Sequence, residues 1–329
     1  MATAQTESQK FLPRRGFHGG HLQTLGSFFL PRRVALPEAE QRLIEVEPGV
    51  KVLCHCHWQD DRRNALTVVV VHGLEGSSES QYMLGIATKG LAAGMNVVRM
   101  NQRNCGGTEG IAPTLYHSGL SRDVAAVSRN LIECDQLSRL ALAGFSMGGN
   151  LVLKLAGEWG SEGPPQFRAV AAVCPAMDLA PSADALHLNS NRLYEYYFMW
   201  KLRRRLRAKA RLFPKSFDPS RLRGVSTLRE FDDKITAYYC GFQGAADYYD
   251  RAAAANVVDR IIVPAFILHA ANDPFIRVLP ETRRKILANP NISFVETKDG
   301  GHCSFLAQPD NGDDGRWAEH QVVNFLRKF

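Results

Sequence analysis

The chain has 329 residues, 45% hydrophobic and 22% charged, with a net charge of +7. This ordinary globular composition can bury one large α/β domain with an insertion or two smaller domains. The positive excess is dispersed and accompanies no nucleic-acid reader motif, so no nucleic-acid partner is expected.

The opening stretch, Met1 to Lys10, is polar and holds no apolar run of leader or membrane-spanning length. Seven cysteines scattered without paired spacing fit free thiols better than a disulfide framework. Together these features point to the cytoplasm.

Short β-branched or apolar runs at 42–46, 50–56, 66–71, 95–100, 139–143, 169–174, 265–269 and 292–295 read as strands. Helical patterns at 82–93 and 120–134 carry apolar residues at i, i+3 and i+4, and such alternation builds a parallel sheet covered on both faces. The first two runs have no helix between them, which predicts an antiparallel edge. Between Asp178 and Ile261 the alternation stops; the segment becomes helix-like, aromatic and basic, with Pro181, Pro214 and Pro219 breaking it into pieces. The sequence thus predicts one domain over 1–329, a mostly parallel twisted sheet of about eight strands, and a helical cap insertion over 179–260. A last helix over 314–326 would turn Trp317, Val322 and Phe325 to the core.

The run 139–143 ends in Gly144-Phe145-Ser146-Met147-Gly148 and opens into a helical pattern, the strand-turn-helix context of a nucleophile elbow. Ser146 is the candidate nucleophile, held strained and exposed between glycines that make room for a tight turn. A serine hydroxyl needs a base and a group that orients the base. His302, in the loop Asp299-Gly-Gly-His302 after the last strand, and Asp273, just past the strand 265–269, supply them in the chain order Ser, Asp, His. Asp178 is a competing acid, read instead as a helix N-cap. Backbone N–H groups of Met147, after the nucleophile, and of Leu74, in the loop His72-Gly-Leu-Glu-Gly76, are the expected oxyanion donors.

These residues resemble the α/β-hydrolase superfamily over nearly the whole chain. Gly19-Gly20-His21-Leu22-Gln23-Thr24, His72 to Ser77, Asn101 to Gly107, Tyr116-His117-Ser118-Gly119 with Asp123, and Gly300-Gly301-His302 look like the YheT-like hydrolases. That branch includes fungal medium-chain fatty acid ethyl ester synthase/esterases and animal membrane-anchored phospholipases. The resemblance implies carboxylic-ester hydrolysis, with Ser146, Asp273 and His302 at the positions of the family's triad. The chain differs from the animal members in showing no N-terminal anchor helix, which argues against an integral membrane location.

Three further features invite other readings. Cys54-His55-Cys56-His57 contains good zinc ligands, but strand alternation would turn the cysteines to one face and the histidines to the other, so no metal is expected there. The segment 194–213 joins an aromatic cluster, Tyr196 to Trp200, to a run of lysines and arginines. It reads as a cap helix roofing the site, and it is also suited to an anionic lipid surface. His18, His21 and Gln23 belong to the family signature without a catalytic step; hydrogen bonds fixing the N-terminal arm are their expected role.

The expected function is a cofactor-independent serine esterase whose small-molecule substrate carries an apolar acyl chain of short to medium length. Acyl transfer to an alcohol, thioester or phospholipid cleavage would use the same acyl-enzyme. A hydrolase-fold protein that binds a ligand without turnover would show a broken triad, and none is visible. The sequence does not specify an oligomeric state.

Overall fold

The computed structural model describes residues 11–30, 32, 34–309 and 313–329. The reading of Met1 to Lys10 lies outside the described residues. Eight strands form one sheet in the order β1-β2-β4-β3-β5-β6-β7-β8. They are β1 Glu40–Glu47, β2 Val50–His57, β3 Thr67–Val71, β4 Asn96–Met100, β5 Leu140–Phe145, β6 Phe167–Val173, β7 Ala265–Ala270 and β8 Ile292–Thr297. β2 is antiparallel to both β1 and β4, and the other neighbours run parallel. The antiparallel edge falls where the missing helix predicted it.

The helices are α1 Gly20–Phe29, α2 Gln81–Ala92, α3 Ser121–Asp135, α4 Met147–Trp159, α5 Leu179–Leu186, α6 Arg192–Leu212, α7 Leu228–Phe231, α8 Ala237–Cys240, α9 Ala245–Ala252, α10 Pro280–Ala288 and α11 Trp317–Leu326. One turn of π-helix, Asp232–Thr236, joins α7 to α8. Because side chains alternate along a strand, β3 feeds both layers of core. Val69 and Val71 pack with Val124 and Leu131 of α3 and Leu151 and Leu155 of α4. Val68 and Val70 pack with Met83 and Ile86 of α2 and Val322 and Leu326 of α11. A strand buried on both faces can therefore read as an unbroken run of valines.

Three local readings need correction. Pro181 does not interrupt a helix: it lies in the first turn of α5, where its missing N–H would have had no intrahelical partner. The last helix begins at Trp317, not 314, with Trp317 and Val322 buried and Phe325 packed only partly against the core. The third is α1, which the sequence pattern did not predict. Gly20 at its first position and Gly26 in its interior weaken the helix locally, and it gains its stability by docking. A Cβ on Gly20 would collide with the carbonyl of Asn272, and one on Gly301 with the carbonyl of Gly20, so glycine at both positions lets α1 nest against the loops after β7 and β8.

Among the described residues no helix is long and apolar enough to cross a membrane.

Candidate active site

β5 delivers its chain to Ser146, which has φ 56° and ψ −120° and begins the turn into α4. A non-glycine residue in that region stores about 1–3 kcal/mol of strain, which the surroundings must offset. They do so in two ways. The Ser146 N–H donates to the Val173 carbonyl at 2.9 Å, and its own carbonyl accepts from Asn150 and Ala176. Close approach accounts for the glycines: a Cβ on Gly144 would strike the Gly148 carbonyl, and one on Gly148 would strike Val71. The side chain is half-buried at the wall of a pocket of about 960 Å³, open mouth included.

Leu74 and Met147 line the same pocket. Among the described residues, neither backbone N–H donates to a protein acceptor. Met147 is the first residue of α4, so its N–H also sits at the positive end of a helix dipole. The loop carrying Leu74 is pinned at its base by His72. His72 Nε2 accepts from the Gln102 N–H at 3.1 Å, its Nδ1 pairs with the Gly73 carbonyl at 2.8 Å, and the Gln102 amide donates to the His72 carbonyl at 2.6 Å. Burial lowers the His72 pKa to about 4, so the ring stays neutral and keeps one donor and one acceptor. The next residue, Glu75, accepts two bonds from Arg205 of α6 at 2.8 and 2.9 Å and one from the Tyr116 hydroxyl at 2.6 Å.

Asp273 and His302 come together on the other flank. Asp273 Oδ2 accepts from His302 Nδ1 at 2.8 Å, while its Oδ1 accepts from the N–H groups of Phe275 at 3.1 Å and Ile276 at 2.9 Å. Burial pushes the Asp273 pKa up, but the imidazole and the Ile276 N–H outweigh it and hold the carboxyl below its ordinary value. Asp178 is not part of this group. It occupies the N-cap position of α5 without capping it; its carboxylate instead accepts from the Leu279 N–H at 2.9 Å and the Thr282 hydroxyl at 2.8 Å, fixing the start of α10.

His302 Nε2 lies 3.8 Å from the Cys303 sulfur, and no hydrogen bond joins it to Ser146 among the described residues. The two are nonetheless neighbours. The Val173 carbonyl that accepts from Ser146 N–H also accepts from the Cys303 thiol at 3.5 Å, and Phe275, a pocket residue, lies 4.3 Å from the imidazole, ring centre to ring centre. Burial disfavours the charged ring, yet the Cys303 thiol and the Asp273 carboxylate outweigh it and the His302 pKa is raised. Burial likewise disfavours the Cys303 thiolate, but Cys174 and His302 outweigh it and the thiol is lowered.

The histidine loop is held by residues of the N-terminal signature, whose expected role is to fix the arm by hydrogen bonds. Thr24 of α1 accepts from the His302 backbone N–H at 2.8 Å, and Gln23 grips Leu306 through both its N–H, at 2.8 Å, and its carbonyl, at 3.1 Å. His21 pairs with the Tyr194 hydroxyl at 3.1 Å, whereas His18 is exposed. The Gly-His-Leu-Gln-Thr signature was the available sign that α1 serves the site.

Cys54 and Cys56 do face one side of β2, in the core, while the His57 imidazole meets Arg99 on the other. Much of the pocket wall comes from the helical stretch 179–260. Phe198, Leu202 and Leu206 of α6 and Phe231 of α7 line it, with Asp232, Thr236 and Tyr249 as a small polar group. Asp232 accepts from the Thr236 and Tyr249 hydroxyls, both at 2.8 Å, and burial raises its pKa to about 6.

Residues 67–309 match the model of the α/β hydrolase fold family. The candidate esterase YheT of Escherichia coli (strain K12) is 31% identical, the match covering 98% of this chain and 95% of that one. Mouse phospholipase ABHD3 is 28% identical over 73% of this chain, which spans only 58% of that protein. An esterase structure from Pyrococcus furiosus superimposes with a TM-score of 0.60 at 17% identity, covering 91% of this chain and 98% of the other, a likeness of fold.

Proposed function

The chain belongs to the α/β-hydrolase fold family, in its YheT-like branch, and we propose that it is a serine esterase working through an acyl-enzyme on Ser146. The observation that carries this reading is the strained serine opening into an apolar pocket beside two N–H groups, Leu74 and Met147, that meet no protein acceptor among the described residues. In this reading the His302 ring turns from Cys303 to Ser146 and accepts the hydroxyl proton at Nε2. The serine oxygen then bonds to the ester carbonyl carbon. The charge developing on the carbonyl oxygen meets the N–H groups of Leu74 and Met147, each able to supply about 3 kcal/mol to the transition state. The C–O bond to the alcohol breaks as His302 returns the proton to it. Water, deprotonated by the same ring, attacks the acyl-enzyme and frees the acid and the serine. Asp273 keeps the Nδ1 proton in place and favours the transient imidazolium. No metal or organic cofactor enters.

The stretch 179–260 acts as a cap on this site within a single hydrolase domain. Its apolar lining favours an acyl chain of short to medium length, since each methylene that fits contributes about 0.8 kcal/mol. The seven unpaired thiols suit a reducing, cytoplasmic setting. A second observation concerns lipid. Leu193, Tyr196, Trp200, Arg204, Arg207 and Arg211 recur at helical spacing along α6, all exposed. Such an aromatic-to-basic stripe suits peripheral contact with an anionic bilayer, and vesicles containing phosphatidylserine should retain the protein at low salt. If they do not, the lipid contact is wrong.

The test of the esterase is a series of p-nitrophenyl esters of increasing chain length. Turnover should peak at short to medium chains and vanish in Ser146→Ala without loss of fold; retained turnover in that variant refutes the assignment. Added ethanol distinguishes transfer from hydrolysis by whether an ethyl ester accumulates.

A further inference from the structure

We propose that Cys174, His302 and Cys303 form a site for a thiophilic divalent cation of the zinc class, and that filling it switches off the serine chemistry. The donor atoms of these three residues all lie within 4.8 Å of one another, and His302 Nε2 is 3.8 Å from the Cys303 sulfur. A tetrahedral zinc with Zn–S near 2.3 Å and Zn–N near 2.0 Å holds its ligands about 3.5–3.8 Å apart. The three donors therefore need only small movements to share one ion.

The surroundings are those of a metal-binding histidine. Such a ring usually donates its second N–H to a carboxylate, which fixes its orientation and raises its basicity. His302 does so through the 2.8 Å contact of Nδ1 with Asp273, whose other oxygen is held by two backbone N–H groups. Each thiol is aimed from a fixed backbone. Cys174 directly follows β6 with φ 43° and its sulfur meets the Gly301 carbonyl at 3.6 Å; Cys303 has φ 60° and its sulfur meets the Val173 carbonyl. The two loops thus cross at the sulfurs. A second, independent sign lies beneath. Among the described residues, buried His269 has an Nδ1 with no hydrogen-bond partner, and it groups with Cys174 and Asp273 at the same 4.8 Å scale.

Two soft thiolates and one imidazole select zinc or a similar ion over magnesium or calcium. Three protein ligands leave a fourth position for water, the pattern of an exchangeable site more than of a structural one. Binding displaces the thiol protons to solvent and occupies the Nε2 lone pair. That lone pair is the one needed to accept the Ser146 proton, so an ion there blocks the base. The inhibitory half of this proposal rests on the esterase reading; the binding half does not.

The test uses the full chain, reduced and freed of metal. Zinc affinity is measured by competition with a chromophoric chelator, cobalt(II) replaces zinc to read thiolate ligation by its intense near-ultraviolet charge-transfer band, and p-nitrophenyl ester turnover is followed in parallel. We expect one ion per chain, a cobalt–thiolate band, turnover lost in proportion to occupancy, and full recovery with EDTA. Cys174→Ser and Cys303→Ser, read separately so that a folding failure of one leaves the other, should each weaken zinc binding by about 100-fold. No zinc bound at micromolar concentration, or binding that neither cysteine variant weakens, overturns the site. Binding without inhibition overturns the switch. Absence of turnover in the metal-free protein would count against the esterase alone, because the cobalt band still decides the site.

Discussion

The two flanks of Ser146 are held by different physics. On the oxyanion side, the loop carrying Leu74 is fastened by charge: Arg205 and Lys201 of α6 reach Glu75, by a two-point ion pair and by its carbonyl at 3.0 Å. The Arg205 and Glu75 side chains are only 12% and 3% exposed. On the histidine side, the loop is fastened without a Lys or Arg ion pair among the described residues: Thr24 and Gln23 of α1 and the amide of Asn272, which accepts from Gly301 N–H at 3.1 Å, hold it, and its Asp299 carboxylate accepts only from neutral donors, Gly19 N–H and the Asn272 amide. A buried ion pair is costly to break on one side, because the surviving charge is left without partner or water. A neutral hydrogen bond carries a smaller penalty. The Leu74 loop is therefore tied to the helical stretch 179–260, while the loop of the proposed base is tied to the N-terminal helix.

The largest effect should come from the base itself. His302→Ala should lower kcat by on the order of 10⁴-fold or more with little change in KM or fold, seen in steady-state kinetics beside circular dichroism. A loss below tenfold would detach the histidine flank from the chemistry.

Next comes the ionic clamp. Arg205→Met strands Glu75 and should cost about 3–5 kcal/mol in urea unfolding, with kcat falling more than KM rises as the Leu74 loop loosens. The double variant Glu75→Gln with Arg205→Met should regain much of the stability, because neither charge is then left alone. If the double variant is no more stable than the single, the clamp is not what holds this flank.

The neutral clamp should yield less. Thr24→Val removes the acceptor for His302 N–H and should cost about 1–2 kcal/mol, with a correspondingly modest fall in kcat. A penalty equal to that of Arg205→Met would erase the contrast between the flanks.

The smallest effect concerns pH. The helical stretch carries a buried carboxyl, Asp232, raised to about 6 from 3.8. Since the folded chain holds that proton more tightly than the unfolded one, the group's contribution is complete below the unfolded pKa and is lost as pH rises through about 6. Asp232→Asn removes this dependence, so its stability relative to the parent should rise between about pH 4 and 6 by on the order of 1 kcal/mol. A difference that does not change with pH would mean that the carboxyl is not perturbed.

The chain read alone shows the sheet well, because buried parallel strands leave unbroken runs such as Val68 to Val71 and the elbow leaves its glycines. It also shows which strand ends carry Ser146, Asp273 and His302. What it hides is set by tertiary contact. The helix α1 begins on a glycine, Gly20, and exists by docking on Asn272 and Gly301. Asp178 looks like a cap for its own helix and serves α10. The clamp of Glu75 by Arg205, and the meeting of Cys174 with Cys303 at the imidazole, join residues that no spacing rule links.

In the proposed mechanism Ser146 is an activated nucleophile. Intact-protein mass spectrometry after exposure to a fluorophosphonate, with peptide mapping, tests it most directly. One adduct per chain is expected, on Ser146, formed quickly in the metal-free protein and absent from His302→Ala on the same timescale. An unmodified chain, or an adduct on another residue, would contradict it.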